Sequence, residues 1–388
     1  MHDWIVIGGG ITGISLSYEL QKAGFSVLLI EQHQKLRGGS SLGYGGISYW
    51  AGTTAFTQKL CQEGIDRQRE LSNELGIDTE FRELDLLLTL EPDVDPQAIL
   101  AQYANFTIAP TLLNAQEASD REPLLNAKGI GGALLLPHAH VNLDSFVNAH
   151  SQALQSLGGE IIYTKVNNLL IEGDRVVGVA TEIGKFYSQQ VVVCAGGLSR
   201  ALLKASGINA KIYFTHAEAI DTEPVDLELR SMVMPADTKR YQLESAATNI
   251  DQDPIWDVAG HELLPPSVDA GAIQFGDRRI RFGQLSRVLT DPHAAIDPAQ
   301  SEVAIRTYVG KVLPKIGELK GKWRNCLVAF SHDNLPLVGS LQNHPNLHLF
   351  SGFSNPTTYV PTLSRRFAAY AKGNSDDIIP LLSPQRFA

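Results

Sequence analysis

Cysteine is scarce in this 388-residue chain: Cys61, Cys194 and Cys326 are the only three, they lie far apart, and their number is odd. That argues against a disulfide framework and a cysteine-based zinc site, and it fits a reducing compartment. Long apolar runs are missing as well. No stretch approaches the roughly eighteen consecutive apolar residues of a membrane-spanning helix, and an apolar strand begins at Asp3, which leaves no room for a secretory leader. Basic residues are the minority, with 32 Lys plus Arg against 42 Asp plus Glu and a net charge of −10. With no basic run, the chain carries no electrostatic footprint for nucleic acid. These absences describe a soluble, cytoplasmic protein with no transmembrane segment and no nucleic-acid partner. The remaining composition, 44% hydrophobic and 19% charged, is that of an ordinary globular protein long enough for two domains or one large one.

Glycine is where the chain becomes informative. Asp3 to Ile7 reads as a short strand, Gly8-Gly9-Gly10-Ile11-Thr12-Gly13 follows at once, Ile14 to Lys22 reads as a helix stopped by Gly24, and Ser26 to Ile30 is a second strand ending on Glu31. In such a βαβ unit Gly8 permits the tight turn, Gly10 lets backbone approach a pyrophosphate, and Gly13 lets the helix pack on the strand. The helix N-terminus offers free N–H groups to the phosphates. Glu31 is placed to accept hydrogen bonds from a ribose 2′-OH, which favours FAD or NAD over NADP. A second glycine-rich stretch, Arg37 to Ile47, reads as a loop whose backbone N–H groups wrap an extended ligand.

Further on, Gln58 to Leu75 presents Leu60, Cys61, Ile65, Leu71 and Leu75 on one helical face, with Gly76 as the stop and Cys61 as a core thiol. Leu84 to Leu90 is a strand, and Glu91 to Leu136 mixes prolines, short helices and strands. His138-Ala139-His140 has ligand-like spacing, but with no third ligand nearby it reads as a turn and no metal site is expected. Asn142-Leu143-Asp144 opens a helix that Gly158-Gly159 ends. Glu160 to Tyr163 is a strand, a hairpin turns at Gly173-Asp174, and Val191 to Gly197 is a buried strand running into a glycine turn. From Lys211 to Lys322 short strands dominate, among them Ile255 to Val258 and the hairpin Ala272 to Phe282. Val303, Ile305, Tyr308 and Val312 give an amphipathic helix that Pro314 ends. Strands within Cys326 to Val338 and Leu347 to Gly352, then a helix from Leu363 to Lys372, close the chain.

With these markers in order, the sequence resembles the FAD-dependent amine and D-amino-acid oxidoreductase family, the group of glycine oxidase, monomeric sarcosine oxidase and D-amino-acid dehydrogenase. The resemblance covers the whole chain through Gly8 to Gly13 with Glu31, the Ser40-Ser41 loop, Val141-Asn142-Leu143, Val193 to Gly197, Asp333 to Gly339, Ser351 to Ser354 and the ending Pro384-Gln385-Arg386-Phe387. It implies an α/β fold: a Rossmann-type FAD-binding domain with a central parallel sheet, plus a substrate domain on a mixed or antiparallel sheet. The FAD-binding domain would be discontinuous, from 1–83, 141–210 and 325–388, with the substrate domain from 84–140 and 211–324. It further implies FAD contacts from Ile11 and Thr12 at the pyrophosphate and from Glu31 and Gln32 at the ribose. Ser40, Ser41, Gly45, Gly46 and Ile47 would follow along the loop, and Val166 would meet the adenine. Phe353, Ser354, Asn355, Pro356, Thr357, Thr358 and Tyr359 would line the pyrimidine end of the flavin. Cys326, seven positions before Asp333, stands where two members of the group carry a cysteine bonded to the flavin 8-methyl group, so the resemblance leaves two readings open: covalent attachment of the FAD through it, or a small buried hydrophobe.

The substrate side departs from the group. The positions of its carboxylate-binding arginines and lysine fall on Val328, Asn355, Tyr359, Gly46 and Tyr49, so the usual clamp is absent. Arg281 matches a lysine near flavin N5 that assists oxygen activation, and strand alternation puts Arg279 on the same face. Tyr44, Tyr49, Trp50, Tyr241, Trp256 and Tyr359 supply aromatics for an apolar or cation-binding pocket. The catalytic candidates are therefore Arg281, Tyr359 and Tyr49. The implied reaction is oxidation of the C–N bond of an amine or amino acid by hydride transfer to flavin N5, hydrolysis of the imine, and reoxidation by O2 or a quinone. Two alternatives are a flavin-dependent 2-hydroxy acid or alcohol dehydrogenase, with His216, His261 or His332 as base, and a non-catalytic flavoprotein acting as an assembly or electron-transfer partner.

Overall fold

A computed structural model describes residues 1–237, 239–249 and 251–387. Its first unit is β1 (His2–Ile7), α1 (Ile11–Lys22) and β2 (Val27–Glu31), with β1 and β2 parallel from Trp4 opposite Val27 to Ile7 opposite Ile30. Two glycines enforce the turn between β1 and α1. Gly8 has φ +105°, and a Cβ there would lie 2.6 Å from the Cys194 carbonyl oxygen. A Cβ on Gly13 would overlap the Gly8 carbonyl, so only hydrogen at both sites lets α1 sit against the strand end.

β1 and β2 belong to an eight-stranded sheet. Its main path runs Leu337–Leu341, His344–Ser351, Gly184–Val193, β1, β2 and Glu160–Tyr163, while Val166–Glu172 and Arg175–Thr181 extend Gly184–Val193 as a meander. The central pairings are parallel. Parallel strands are covered on both faces, which is why Val191-Val192-Val193 is continuously apolar and fully buried. One face packs on α1, Ala55–Leu75 and Pro356–Ala371 through Ile14, Leu16, Leu20, Leu60, Leu363 and Phe367. The other packs on the meander and on Leu203, Ile208 and Ile212.

The second sheet has nine strands, in the order Gly321–Phe330, Tyr213–Thr222, Ile280–Leu289, Glu262–Gln274, Met232–Pro235, Arg82–Leu90, Gly132–His140 and Gly46–Ile47, with Thr111–Leu113 also beside Gly132–His140. All its pairings are antiparallel except Met232–Pro235 with Arg82–Leu90. One face is covered by helix Pro298–Val312, whose Ile305 and Val309 join Ile220, Phe282 and Leu285 in one core. The opposite face turns toward the first unit: Arg281 on it reaches the carbonyls of Ser41 and Gly43. Strand Gly321–Phe330 begins ahead of residue 325 and is bonded along its whole length to Tyr213–Thr222, so the residues around Cys326 are part of this second sheet.

Four local readings are corrected. Ile255 to Val258 is not a strand, because Asp253–Asp257 forms a 3-10 helix begun by Pro254 that carries Trp256 into the core. In helix Pro298–Val312 the buried positions are Ser301, Ile305 and Val309, while Val303 and Tyr308 are exposed; Pro314 opens a further short helix, Pro314–Gly317. His138-Ala139-His140 is the end of a strand rather than a turn, with Pro137 paired opposite Asp85. The glycine-rich stretch after Arg37 contains a short helix, Gly38–Leu42, and the strand Gly46–Ile47.

Candidate active site

The nucleotide end is built by β1, α1 and β2. Glu31 points back across the turn, its Oε2 accepting from Gly9 N at 2.6 Å and its Oε1 from His33 N at 2.9 Å. A carboxylate so fixed by backbone keeps lone pairs directed at a ribose hydroxyl. The N-terminus of α1 has no side-chain cap at Gly10; only Ile11 N is taken, by Ser40 Oγ at 3.0 Å, while Thr12 turns its hydroxyl to the Cys194 carbonyl. Beside it opens a cleft with about 430 Å³ of empty space, lined by Gly9, Gly10, Glu31, His33, Arg37 and Tyr163 among others. These residues fit the adenosine and pyrophosphate of a dinucleotide: uncapped N–H groups, a directed carboxylate and an aromatic wall. Val166 does not line this cleft; it packs against the core on the other face of the sheet. Tyr163 escapes sequence reading because strand Glu160–Tyr163 reaches the cleft only through its pairing with β2.

From Ser40 the chain leads to Gly45, Gly46 and Ile47, where the N-terminus of helix Pro356–Ala371 meets it. Thr357 donates its hydroxyl to the Gly46 carbonyl, Asn355 Nδ2 donates to the Ser48 carbonyl at 3.4 Å, and Gln68 Nε2 donates to the Thr357 carbonyl at 2.6 Å. Asn355 makes no side-chain cap, Pro356 supplies no N–H, and the buried Ser354 Oγ has no partner. An uncapped helix N-terminus with an orphaned hydroxyl, closing on the Gly45-Gly46 pair, suits the electron-rich edge of a flavin. Phe353 and Thr358 are buried behind it.

The three predicted catalytic residues each have their own partners. Arg281 is 4% exposed. Its Nε and Nη2 pair with both oxygens of Asp221 at 2.6 and 2.8 Å, and its Nη1 and Nη2 donate to Gly43 and Ser41 carbonyls at 2.7 and 3.1 Å. Arg279 and Arg281 both lie over the Phe275 ring, as alternation requires. Tyr359 is buried with its hydroxyl 3.9 Å from Cys61 Sγ, and burial pushes its phenol far above the ordinary range. Tyr49 is partly buried and packs on the separate cluster of Ile47, Ile65 and Phe146. Cys326 is buried against Leu42 and Ala217, and burial pushes its thiol up to about 12.

Two histidines were read as a turn and are instead part of the sheet face over Gly45 and Gly46. Both are about 2% exposed, burial pushes each ring down to about 3, and both rings are therefore neutral at pH 7. Trp50 Nε1 donates to His138 Nδ1 at 3.2 Å, which leaves the ring proton on Nε2, the atom that lies against Gly46. Of the other histidines, His216 alternates with Thr215 and Ala217, so it stands on the opposite face and bonds the Asp291 carbonyl at 2.9 Å. His332 bonds Thr248 at 2.9 Å, and His261 is exposed. Among the described residues no cluster of three or more His, Cys, Asp or Glu could hold a metal, and no helix is long and apolar enough to cross a membrane.

Comparison with known proteins places this geometry. The family model DAO, FAD-dependent oxidoreductase, matches residues 3–370. Glycine oxidase of Pseudomonas aeruginosa is 25% identical over 402 residues, covering 99% of this chain and 97% of that protein. 4-Methylaminobutanoate oxidase (formaldehyde-forming) of Paenarthrobacter nicotinovorans is 30% identical over 224 residues, 54% of this chain, which spans about a quarter (26%) of that longer protein. The crystal structure of glycine oxidase from Geobacillus kaustophilus superposes with a TM-score of 0.79 at 19% identity, covering 99% of this chain and 98% of that one, and so shares the fold.

Proposed function

Because the chain belongs to the DAO family of FAD-dependent oxidoreductases, we propose that it oxidises the carbon–nitrogen bond of an amine or amino acid and that the resulting imine is hydrolysed in water. The observation that carries this reading is the continuity of one site: the nucleotide cleft at Gly9 to Gly13 leads through Ser40 to Gly46, beneath a sheet face bearing buried polar groups. Relatives named for oxidation of glycine and of 4-methylaminobutanoate support the amine class.

FAD, when bound, supplies the acceptor for a hydride taken from the carbon beside the nitrogen. The chain's residues do the rest. The free N–H groups at the start of α1 hold the pyrophosphate, Glu31 and Gln32 hold the ribose, and Gly45, Gly46, Ile47 and the turn from Phe353 to Tyr359 hold the ring. Arg281 orients rather than reacts: with its charge matched by Asp221, it ties the Ser41–Gly43 carbonyls to the sheet and so fixes the loop that carries Gly45 and Gly46. Tyr44, Trp50 and Phe275 exclude water from this face, where they are half-buried or buried. Tyr359 and Tyr49 act by packing, Tyr359 against Cys61 and Tyr49 against the cluster of Ile47, Ile65 and Phe146. Cys326 packs as a buried thiol against Leu42 and Ala217 and burial raises its pKa, which favours FAD held without a bond to it.

The test is anaerobic bleaching of the flavin absorbance by glycine, sarcosine, D- and L-amino acids, larger secondary amines and hydroxy acids. Bleaching by amines or amino acids is the expected result, and readmitted air then separates an O2-using oxidase from a quinone-using dehydrogenase. Bleaching by hydroxy acids alone would replace the reading. A full complement of FAD that no amine bleaches would favour a non-catalytic flavoprotein.

A further inference from the structure

The clamp positions of the group fall on uncharged residues, yet the sheet face turned toward Gly46 is not devoid of charge. Register and alternation place Thr215, Ala217, Asp269, Arg281, Ser286 and Cys326 on it, opposite the face packed by helix Pro298–Val312. Helix Lys239–Ala246 lies across this face. Its Glu244 side chain is 1% exposed, and Glu244 Oε1 accepts both from Thr215 Oγ1 of the sheet at 2.9 Å and from Arg240 Nε at 3.0 Å. Glu244 therefore pins the helix and holds Arg240 through Nε alone of its donors in that contact. The charge of Arg240 is felt at Cys326 and at Asp269, and that of Asp269 at Tyr44 of the glycine-rich loop. Asp269 is 8% exposed in a strand whose register shifts between Val268 and Gly271. Val268 packs into the helix-side core, and Asp269 next to it turns the other way. Around the pair stand Lys239, Asp237 and Glu244, so the cluster holds one more carboxylate than cations.

We propose that Arg240 and Asp269 are the substrate grip of this site, Arg240 taking the carboxylate and Asp269 the ammonium group of an α-amino acid, with Glu244 as the positioning residue. The inference rests on the oxidation proposed above and narrows its substrate from amines in general to amino acids. A cluster with one excess negative charge disfavours a free carboxylate and accepts a zwitterion, whose ammonium group balances Asp269. Asp269 also removes the obstacle to C–H oxidation. The ammonium N–H bond breaks, the proton passes to the Asp269 carboxylate, and the amine nitrogen regains its lone pair. Burial already pushes the Asp269 carboxyl up to about 6, which suits it to receive that proton.

The experiment uses FAD-loaded protein and matched probes, glycine with methylamine and acetate, and sarcosine with dimethylamine. Binding is read by calorimetry and by perturbation of the flavin spectrum, reduction by anaerobic stopped flow. Wild type is expected to prefer the amino acid over the matched amine by about 100-fold. Arg240→Met should lower binding of the amino acid far more than binding of the matched amine, removing most of the preference. Arg240→Lys, which keeps a cation beside Glu244, should retain part of the preference. Asp269→Asn should flatten the rise in flavin reduction rate near pH 6. Equal losses for amine and amino acid in Arg240→Met, or an intact preference, would overturn the grip, as would a wild type that binds no amino acid at all. Amino-acid binding that depends on Arg240 without any bleaching would instead overturn the oxidation and leave the grip standing.

Discussion

Arg281 shows how a single side chain changes meaning once its partners are known. Its ion pair with Asp221 is nearly closed to solvent, with side-chain exposures of 5% and 13%. Arg281→Met leaves the Asp221 carboxylate without its partner, and removal of one member of a buried pair costs about 3–5 kcal/mol. We expect a large drop in melting temperature, faster loss of FAD, and flavin reduction and reoxidation slowed alike; reoxidation slowed much more than reduction would instead give Arg281 a part in oxygen activation. Cys326 makes a simpler prediction: after acid precipitation the yellow colour stays in the supernatant, and colour in the pellet would establish the bond to flavin. Asp269 gives the pH dependence. Its folded carboxyl is raised, by burial first and by Asp237 and Glu244, from 3.8 to about 6 despite Arg240. The stability it contributes is thus full below its unfolded value and lost as pH rises through about 6, amounting to about 3 kcal/mol at ~1.4 kcal/mol per unit. Asp269→Asn should melt like wild type at pH 4 and above it at pH 8, and identical curves at both would refute the assignment. Gly8, Gly13 and Glu31 were legible in the sequence because backbone geometry alone demands them. Arg240 and Asp269 were not, since their partners lie on strands and helices remote in the chain.

At the scale of elements, the βαβ unit and the helix opened by Asn142 could be read because strand period, cap and stop all sit in one window; Asn142 Oδ1 indeed accepts from Asp144 and Ser145 N. Helix Pro298–Val312 could not be read so well. Its inward face is decided by Arg287, which reaches across to Ser301 and keeps that small polar residue buried, while the apolar Val303 and Tyr308 face out. His138-Ala139-His140 reads as a turn in the sequence, but the strand runs through it and carries Pro137 at a position whose partner is Asp85 and whose side chain is exposed. Helix Ala55–Leu75 has a further device hidden from its pattern. The capping box at Thr54 and left-handed Gly76 set its ends, and on its flank the buried Arg67 bonds both Glu19 of α1, at 2.6 Å, and Glu74, at 2.6 Å. Arg67→Met strands Glu19, whose side chain is 7% exposed. It should cost about 3–5 kcal/mol, and Glu19→Gln in the same background should recover part of it; no recovery would show that Arg67 acts by packing alone.

For the whole molecule, the proposed FAD site draws on separated stretches of the chain, so that bound FAD would bridge several of them. Saturation with FAD should therefore raise stability as mass action requires, by about 2.7 kcal/mol at 100 times its dissociation constant. Melting temperature should climb with added FAD in wild type, and a flat titration would argue against the site. The division into two sheets was legible because runs of strand type cluster by region, but the membership of Gly46–Ile47 and Gly321–Phe330 in the second sheet was not. Both strands are placed by hydrogen-bonded neighbours, and neither carries a pattern of its own that names the sheet. β1 shares this dependence. It is flanked by β2 on one edge and by Gly184–Val193 on the other, and the second neighbour leaves the ribosome about 150 residues after the first. At roughly 5–20 residues per second, the nascent chain presents an unpaired apolar edge for about 8–30 s, so its synthesis passes through an interval that a chaperone, or a slow-translating message, has reason to guard.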